Sequence, residues 1–403
     1  MPEWMNAQIR PRSWQIAPHV KHLETSIIRE ILKVSSQPGV ISFAGGLPAP
    51  ELFPLEAIKK VTCDAIDKYG PACVQYSLSR GIVPFRELIA ERATAHGIKS
   101  TVDNILVTSG SQQGIELLAR AFIDPGDYIL CENPTYVGAL QAFNYYQARY
   151  ATVDMDDKGM QVDRVEEKIQ QFNPKLIYTV SNFQNPTGIT MAQDRRIQLC
   201  ELAAHYDIPI VDDNPYGEIR FSGSKLPSLK SFGGDQVIAL RTFSKTLTPG
   251  MRIAWVNGPD WVLAQLEKVK QCSDLHTSTF GQYVVYEFLR QGLLEPHIEK
   301  IKTDYRAKRD VMLETMEKCF PEGVTWTKPD GGLFLWVTLP TNVSAKELFP
   351  KAIAKKVAYV PGQAFYPHGM GDNTLRLNFS TASKEKIREG ISRLGELLTE
   401  AIG

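Results

Sequence analysis

The sequence predicts an α/β protein, with a large domain built on a mostly parallel sheet flanked by helices and a smaller α+β domain. A chain of 403 residues is too long for one core of ordinary size. From about residue 104, short apolar runs alternate with amphipathic stretches, which indicates parallel strands joined by crossover helices. Beyond about residue 294, helical stretches precede strands, as in a separate α+β domain.

Seven apolar runs, each bounded by Gly, Pro, Asn or Asp, predict the strands of the large domain. They are NILVTSG (104–110), DYILCEN (127–133), RYATVDM (149–155), KLIYTVS (175–181), IPIVDD (208–213), QVIALRTFS (236–244) and RIAWVNG (252–258). Amphipathic patterns between these runs predict helices that begin at Ser111, span about Val137–Tyr145 and cover 192–206. Strands and helices therefore alternate through most of this block.

The last third of the chain begins with a long predicted helix over 294–320. Strands follow within 326–340 and over 374–380, with one helix between them and another at the C-terminus. The first 25 residues or so are typical of an extended arm. We therefore predict three parts: an N-terminal arm and helix (1–50) that contribute to the smaller domain and to the active-site entrance, a large domain (51–293) and a small domain (294–403).

The composition excludes several classes of partner and site. The 45 basic and 45 acidic side chains balance, which gives no reason to expect nucleic acid or a membrane surface as a partner. The six cysteines form no CxxC pair and have no metal-ligand spacing to the seven histidines, so we expect no metal site and reduced thiols. The N-terminus lacks the apolar core of a signal peptide, and we expect a cytoplasmic protein.

A lysine follows a predicted strand in RTFSKTLTPGMR (241–252), among hydroxyl side chains, a Pro-Gly turn and an arginine. Taken alone, a lysine at a strand end is more often a solvated surface charge. A lysine that forms a Schiff base must be a free amine, so it belongs in a desolvated site beside other cations that lower its pKa. Lys245 is the candidate for such a lysine, and Arg252 is a candidate for the neighbouring cation.

A phosphate site is predicted in SGSQQG (109–114), between a strand and a helix, where free backbone N–H groups and the positive helix end face an anion. Ser111 and Gln112 are the predicted ligands, although a serine before a helix is more often a plain N-cap. Thr242, Ser244 and Arg252 are candidates to complete the phosphate cup.

If Lys245 binds the carbonyl of pyridoxal phosphate, the protein must also bind the cofactor's ring. In VDDNPYGEIRF (211–221), Asp213 is the candidate partner of the pyridine nitrogen, although an Asp before Asn-Pro is also a turn former. Asn185, in SNFQNPTG, and Tyr216 can donate hydrogen bonds to the phenolic oxygen, and Tyr136 can stack on the ring.

A single arginine, Arg376, interrupts the apolar strand NTLRLNFS. A buried, unpaired charge is expensive, so this guanidinium needs a fixed anionic partner. A substrate α-carboxylate would supply one.

The chain resembles the fold-type I, class I/II pyridoxal-phosphate-dependent aminotransferases from about Ser26 to the C-terminus, more than nine-tenths of its length. It is most similar to the group of 2-aminoadipate and kynurenine aminotransferases. The segments that carry the resemblance are SFAGGLPAPELFP (42–54), QYSLSRG (75–81), TSGSQQG (108–114), NPTG (185–188), DNPY (213–216) and SKTLTPGMR (244–252).

The resemblance implies a large domain with a mostly parallel seven-stranded sheet that binds pyridoxal 5′-phosphate, and a homodimer with shared active sites. It implies that Lys245 is the cofactor lysine, that Asp213 pairs with the pyridine nitrogen and that Tyr136 stacks on the ring. The other implied cofactor ligands are Ser111, Gln112, Asn185, Tyr216, Thr242, Ser244 and Arg252, with Tyr76 reaching across from a second subunit. The implied ligands of the substrate α-carboxylate are Arg376, Asn185 and the Gly46 backbone.

The resemblance implies an exchange of an amino group between an L-amino acid and a 2-oxo acid such as 2-oxoglutarate, by a ping-pong mechanism. The expected donor is 2-aminoadipate, with glutamate, aromatic or branched-chain amino acids as alternatives. In the similar 2-aminoadipate enzymes an arginine of an early helix can meet the distal carboxylate of the substrate. Here Arg29 and Ser26 are the candidates, although Arg29 can equally be a solvated helix residue.

Two alternatives remain open from the sequence. The same cofactor supports elimination, decarboxylation or aldol cleavage, because fold and cofactor do not fix which Cα bond breaks. A cofactor-binding transcription regulator is the other alternative. Such a regulator needs a DNA-binding domain, for which the first 25 residues are too few.

Overall fold

The computed structural model describes residues 15–17, 20, 31 and 37–403; Ser26 and Arg29 lie outside the described residues. The strands are β1 (Ile41–Ser42), β2 (Ile105–Thr108), β3 (Tyr128–Asn133), β4 (Arg149–Asp156), β5 (Gly159–Met160), β6 (Leu176–Thr179), β7 (Ile210–Asp213), β8 (Val237–Thr242), β9 (Ala254–Asn257), β10 (Thr325–Trp326), β11 (Phe334–Thr338), β12 (Val357–Ala358), β13 (Val360–Pro361) and β14 (Thr374–Asn378).

The helices of the described residues flank these strands. They are α1 (Leu55–Tyr69), α2 (Val83–Ala95), α3 (Ser111–Phe122), α4 (Val137–Tyr145), α5 (Val165–Phe172), α6 (Gln193–His205), α7 (Leu229–Gly233), α8 (Asp260–Gln271), α9 (Thr279–Arg290), α10 (Leu294–Cys319), α11 (Ala345–Ala354) and α12 (Lys384–Ile402). The predicted helices at Ser111, near Val137–Tyr145, over 192–206 and over 294–320 correspond to α3, α4, α6 and α10.

The main sheet has the strand order β2-β9-β8-β7-β6-β3-β4-β5. Strands β8, β7, β6, β3 and β4 are parallel neighbours, so the predicted α/β class with a mostly parallel sheet is confirmed. Helices cover both faces, which explains why β2 and β6 are buried at every position and read as continuous apolar runs.

Two features of the main sheet differ from the prediction. Strand β9 lies between β2 and β8 and is antiparallel to both, because the short link after β8 leaves no room for a crossover helix. The short strand β5 forms an antiparallel hairpin with β4 and adds an eighth strand to the seven that were predicted.

The C-terminal part forms a four-stranded antiparallel sheet in the order β10-β11-β14-β13. Helices α10 and α12 pack against each other beside it, and strand β1 pairs in parallel with β12. The locations of these strands and helices agree with the predicted domain boundaries at residues 50 and 293. The division into domains itself stays a prediction. No helix of the described residues is long and apolar enough to span a bilayer.

Candidate active site

The carboxyl ends of neighbouring parallel strands converge at one edge of the main sheet, where open α/β sheets bind ligands. A cavity of about 520 Å³ lies at this edge. Most of the residues predicted for the site line it together: Gly46, Ser111, Gln112, Tyr136, Asn185, Asp213, Tyr216, Thr242, Ser244, Lys245, Arg252 and Arg376.

Lys245 follows β8 and extends its side chain into this cavity. Its Nζ atom donates a hydrogen bond to the Gly46 carbonyl oxygen at 2.7 Å. Burial lowers the pKa of Lys245 to about 8, and the cations Arg376 and Arg252 lower it in the same direction. A substantial fraction of this amine is therefore neutral near physiological pH, as a nucleophilic lysine requires.

The start of α3 forms a cup for an anion. Gly110 precedes the helix with a φ of 85°, and a Cβ atom there would lie 1.9 Å from Nη2 of Arg252. The Ser111 hydroxyl is buried in this cup without a hydrogen-bond partner in the described residues. Arg252 donates to the Ser244 hydroxyl at 3.5 Å, and Ser244 is linked to Thr242 at 2.9 Å. The cup therefore combines a guanidinium, three hydroxyls and a helix N-terminus.

The side chain of Gln112 points partly away from this cup. Its Nε2 atom donates a hydrogen bond to the Gly138 carbonyl oxygen at 2.7 Å and so joins the start of α3 to α4. Gln112 still lines the cavity, but its amide is already used within the protein.

Asp213 ends strand β7, and its side chain is almost fully buried. Its Oδ2 atom accepts a hydrogen bond from the Tyr178 hydroxyl at 2.8 Å, while its Oδ1 atom has no partner in the described residues. Burial raises the pKa of Asp213 to about 6, although the hydrogen bond from Tyr178 lowers it. A buried carboxylate with one free oxygen is suited to a cationic N–H group.

Arg376 lies on β14 and is 2% exposed. Its guanidinium donates to Oδ1 of Asn185 and to the Ala44 carbonyl oxygen, each at 2.7 Å, and stacks over the ring of Phe334. Its Nε atom has no partner, and no carboxylate pairs with this cation in the part of the chain that the structure describes. Burial lowers the pKa of Arg376 to about 10. The guanidinium is therefore open to an anion from a bound molecule.

Two tyrosines form walls of the cavity. Tyr136 precedes α4, and Gly138 accommodates its ring, because a Cβ atom at Gly138 would lie 2.4 Å from the ring. Burial raises the pKa of Tyr136 to about 12. Burial also raises the pKa of Tyr216, which packs edge-on against Phe334 at 5.9 Å between ring centroids. Both phenols are therefore hydrogen-bond donors at neutral pH.

Of the predicted residues that the structure describes, Tyr76 alone does not line the cavity. Tyr76 is 79% exposed and contacts the His276 ring instead. Ser26 and Arg29 lie outside the described residues. The prediction did not include Tyr178, which bonds to Asp213, or several further lining residues. These are Val137, Gly138, Gln141, Val180 and Pro215.

The residues present fit pyridoxal phosphate, a molecule with a phosphate, a ring nitrogen and a carbonyl. Three of the buried polar atoms without partners, Ser111 Oγ, Asp213 Oδ1 and Arg376 Nε, belong to one cavity that also contains the low-pKa amine of Lys245. Elsewhere in residues 15–17, 20, 31 and 37–403, no three His, Cys, Asp or Glu side chains cluster closely enough to hold a metal ion.

Comparison with known proteins identifies relatives over nearly the whole chain. Residues 42–394 match the family model of the aminotransferases of class I and II. The aromatic-amino-acid aminotransferase 1 of Thermococcus litoralis is 46% identical over 385 residues, which cover 94% of this chain and 92% of that protein.

Solved structures agree with this match. The kynurenine aminotransferase of Pyrococcus horikoshii, in complex with PMP, is 44% identical with a TM-score of 0.92, and the alignment covers 96% of this chain and 98% of that one. LysN, the alpha-aminoadipate aminotransferase of Thermus thermophilus, complexed with N-(5′-phosphopyridoxyl)-L-leucine, is 36% identical with a TM-score of 0.90 and the same coverage. The chain belongs to the class I and II aminotransferases, which are pyridoxal-phosphate-dependent transaminases of fold type I.

Proposed function

We propose that this transaminase uses Lys245 both to bind the cofactor and to carry the proton of the reaction. The observation that carries the proposal is the position of the Lys245 amine, which is buried beside Arg376 and Arg252 with its pKa lowered to about 8. A neutral amine at this place can attack a carbonyl and can afterwards accept a proton from the substrate Cα. Its bond to the Gly46 carbonyl holds Nζ toward the cavity.

The remaining residues of the cavity hold the cofactor. In this proposal the cup of Ser111, Thr242, Ser244 and Arg252 binds the phosphate, with Gln112 at its edge. Asp213 keeps the ring nitrogen protonated, and its contact with Tyr178 orients the carboxylate. Asn185 and Tyr216 bind the phenolic oxygen, and Tyr136 stacks on the ring. When bound, the cofactor supplies an electron sink for the carbanion that remains after loss of the α-proton.

Arg376 is the proposed ligand of the substrate α-carboxylate, together with Asn185 and the Gly46 backbone. A bidentate guanidinium matches a carboxylate in geometry and in charge. Every amino donor and every 2-oxo acceptor carries this group next to the reacting carbon. The same arginine therefore serves both halves of a ping-pong exchange.

Which substrate side chain the enzyme accepts depends on the other residues that line the active-site cavity. Tyr136, Val137 and Gly138 present ring and apolar surface, and Gln141 adds an amide at the edge. The cations that line the cavity in the described residues, Lys245, Arg252 and Arg376, are already assigned. Aromatic and other large neutral amino acids are therefore the donors that this wall fits best, and 2-aminoadipate or glutamate would need a further cation, for which Arg29 is the candidate.

The exposure of Tyr76 supports a homodimer with shared active sites. Its ring lies outside the cavity of its own chain and is 79% exposed. Exposed apolar side chains accompany it along the same segment, at Val74 (71%) and Leu78 (57%). A second subunit that covers this segment would bury these side chains, and the Tyr76 hydroxyl would reach the phosphate cup of that subunit.

All six cysteines are free thiols, which fits a cytoplasmic enzyme.

The proposal is tested with single amino acids in the absence of any 2-oxo acid. We expect the cofactor-loaded protein to release one 2-oxo acid per site and then stop, with tyrosine and phenylalanine faster than 2-aminoadipate, glutamate and leucine. Lys245→Ala should release none, although its fold and melting temperature are retained. Continuous release of product, or release of carbon dioxide, would instead assign a lyase or decarboxylase.

A further inference from the structure

A second cavity lies beside the active site, between helix α2 and strands β8 and β9; we name it the α2 cavity. Residues from these elements that line it include Ile89, Ala93, Ala239, Trp255 and Asn257. The cavity encloses about 100 Å³ and continues into a surface groove of about 400 Å³. Thr242 and Pro215 line both the α2 cavity and the active-site cavity, so the two are neighbours without being one space.

Two polar groups of the α2 cavity lack partners. Thr246 Oγ1 and Asn257 Oδ1 are buried, and neither makes a hydrogen bond within the described residues. The Nδ2 atom of Asn257 donates to the Ser100 hydroxyl at 2.9 Å, which leaves Oδ1 as an acceptor. A buried acceptor without a donor is energetically unfavourable. A bound molecule with a hydroxyl or N–H group would satisfy it.

Between this polar pair and the outer groove the walls are largely apolar. Ile89 and Ala239 are each 1% exposed, and Trp255 also lines the cavity. The apolar part of the lining suits a flat hydrocarbon body, and an aromatic ring packs well against Trp255.

The cations that line the cavity differ in how they are neutralised. Arg241 pairs with the buried Asp212 at 3.1 Å. Arg92 forms ion pairs with Glu218 and Glu295. These two guanidinium groups are therefore already compensated within the protein.

Arg220 is also compensated, because it forms an ion pair with Asp330 at 3.6 Å and donates to the Ser222 carbonyl oxygen at 3.2 Å. The remaining cation, Lys225, is open to an anion. Lys225 has no acidic partner within 4.0 Å among the described residues and lines both the cavity and the groove. Burial lowers the pKa of Lys225, Glu218 raises it, and Arg92 and Lys302 lower it further. An anion at this position gains Lys225 as a cationic partner.

We propose that the α2 cavity binds a small aromatic carboxylate that carries a hydroxyl group on its ring. The carboxylate lies against Lys225, the ring packs between Ile89 and Trp255, and the hydroxyl donates to Asn257 Oδ1. Such a ligand needs neither an amino nor an oxo group, so it differs from the substrates of the reaction. The proposal does not depend on which amino acid is the donor.

The test measures binding of 4-hydroxyphenylacetate, which cannot be transaminated, by titration calorimetry. Protein saturated with N-(5′-phosphopyridoxyl)-L-leucine is used, so that Arg376 and the cofactor site are occupied. We expect one site per chain, and phenylacetate, which lacks the hydroxyl, should bind roughly fivefold more weakly. Ala93→Phe fills the cavity and Lys225→Glu reverses its free charge; each should weaken binding at least about tenfold.

Lys59→Glu is the matched control, because Lys59 is also exposed and lies on α1, outside the lining of the α2 cavity and its groove. Its binding should equal that of the unmodified protein. Melting temperature and cofactor absorption establish that each variant is folded. If Ala93→Phe does not fold, the test rests on Lys225→Glu, because Lys225 is exposed and its substitution should not disturb the fold. The proposal is wrong if no binding heat appears up to about 10 mM ligand, or if Lys225→Glu binds with unchanged affinity.

Discussion

The Nζ atom of Lys245 donates a hydrogen bond to the Gly46 carbonyl oxygen at 2.7 Å, across 199 residues of sequence. Gly46 belongs to the segment that precedes α1, whereas Lys245 follows β8. The contact therefore brings the N-terminal segment over the active-site cavity. It also holds the lysine amine beside Arg376 and Arg252, which together with burial set its protonation state.

The first prediction concerns the pH dependence of cofactor loading. Only the neutral amine attacks a carbonyl, and a lysine is neutral above its pKa. Since burial and two cations lower the pKa of Lys245 to about 8, loading of the cofactor-free protein should accelerate as pH rises and level off above about pH 8. Stopped-flow absorption at several pH values measures this rate. A rate that still rises steeply at pH 10 would contradict the assigned environment.

Tyr178→Phe should weaken cofactor binding without disturbing the core. The change removes only the hydroxyl that donates to Asp213 at 2.8 Å. Loss of this donor raises the pKa of Asp213 beyond its value of about 6, so less carboxylate faces the ring nitrogen. We expect the cofactor Kd to rise roughly tenfold, in line with ~1.5 kcal/mol for a hydrogen bond to a charged group.

The pH profile of kcat separates this role of Tyr178 from a purely structural one. Asp213 is active as the carboxylate, which is lost as pH falls through its pKa, so the acid limb should move to higher pH in Tyr178→Phe. Tyr206→Phe removes a hydroxyl that bonds to Glu166 on the surface and should leave both values unchanged. An unshifted acid limb would limit Tyr178 to packing.

Gly110→Ala should disrupt the phosphate cup specifically. A Cβ atom at Gly110 would lie 1.9 Å from Arg252 Nη2, so the guanidinium would have to move. Gly97→Ala is the comparison variant, since Gly97 also has a positive φ, of 80° against 85°, but has open space around it. We expect the Kd for pyridoxal phosphate to rise at least about tenfold in Gly110→Ala only. Equal losses in both variants would assign the effect to backbone strain.

Much of the site could be predicted because the ends of strands can be located from the sequence. Lys245 and Asp213 each follow or end a buried apolar run, and parallel strands place such positions at one edge. Arg376 was identifiable as a charge inside an apolar strand. The local pattern gave the positions of these three residues, whereas the roles of Lys245 and Asp213 depended on the other motifs and on the family resemblance.

The remainder depended on contacts that local pattern does not encode. Tyr178 looks like an ordinary strand residue, and its bond to Asp213 follows only from the side-by-side register of β6 and β7. From the sequence, Gln112 is a plausible phosphate ligand, yet its amide donates to the Gly138 carbonyl oxygen because α4 lies beside α3.

The antiparallel direction of β9, in contrast, could have been expected from the sequence, because the link after β8 is too short for a crossover helix.

Arg29→Gln tests whether acidic donors use the N-terminal part of the chain. The cations that line the described part of the cavity are assigned to the cofactor and the α-carboxylate. If Arg29 meets a distal carboxylate, its loss should lower kcat/KM for 2-aminoadipate and glutamate roughly tenfold and spare leucine. Initial rates with the three donors measure this difference. Equal loss for all three would show that Arg29 does not select the substrate side chain.

The proposed homodimer with shared active sites predicts that two inactive variants restore each other. In Lys245→Ala the lysine of each site is lost, and in Tyr76→Ala the hydroxyl offered to the neighbouring site is lost. A mixed dimer then contains one site with both changes and one with neither, so refolding the two variants together should recover activity that neither has alone. Lys245→Ala mixed with Asp213→Asn is the matched control, because both residues line the cavity of their own chain and no native site can form. If the first mixture stays as inactive as the control, Tyr76 acts within its own chain or not at all.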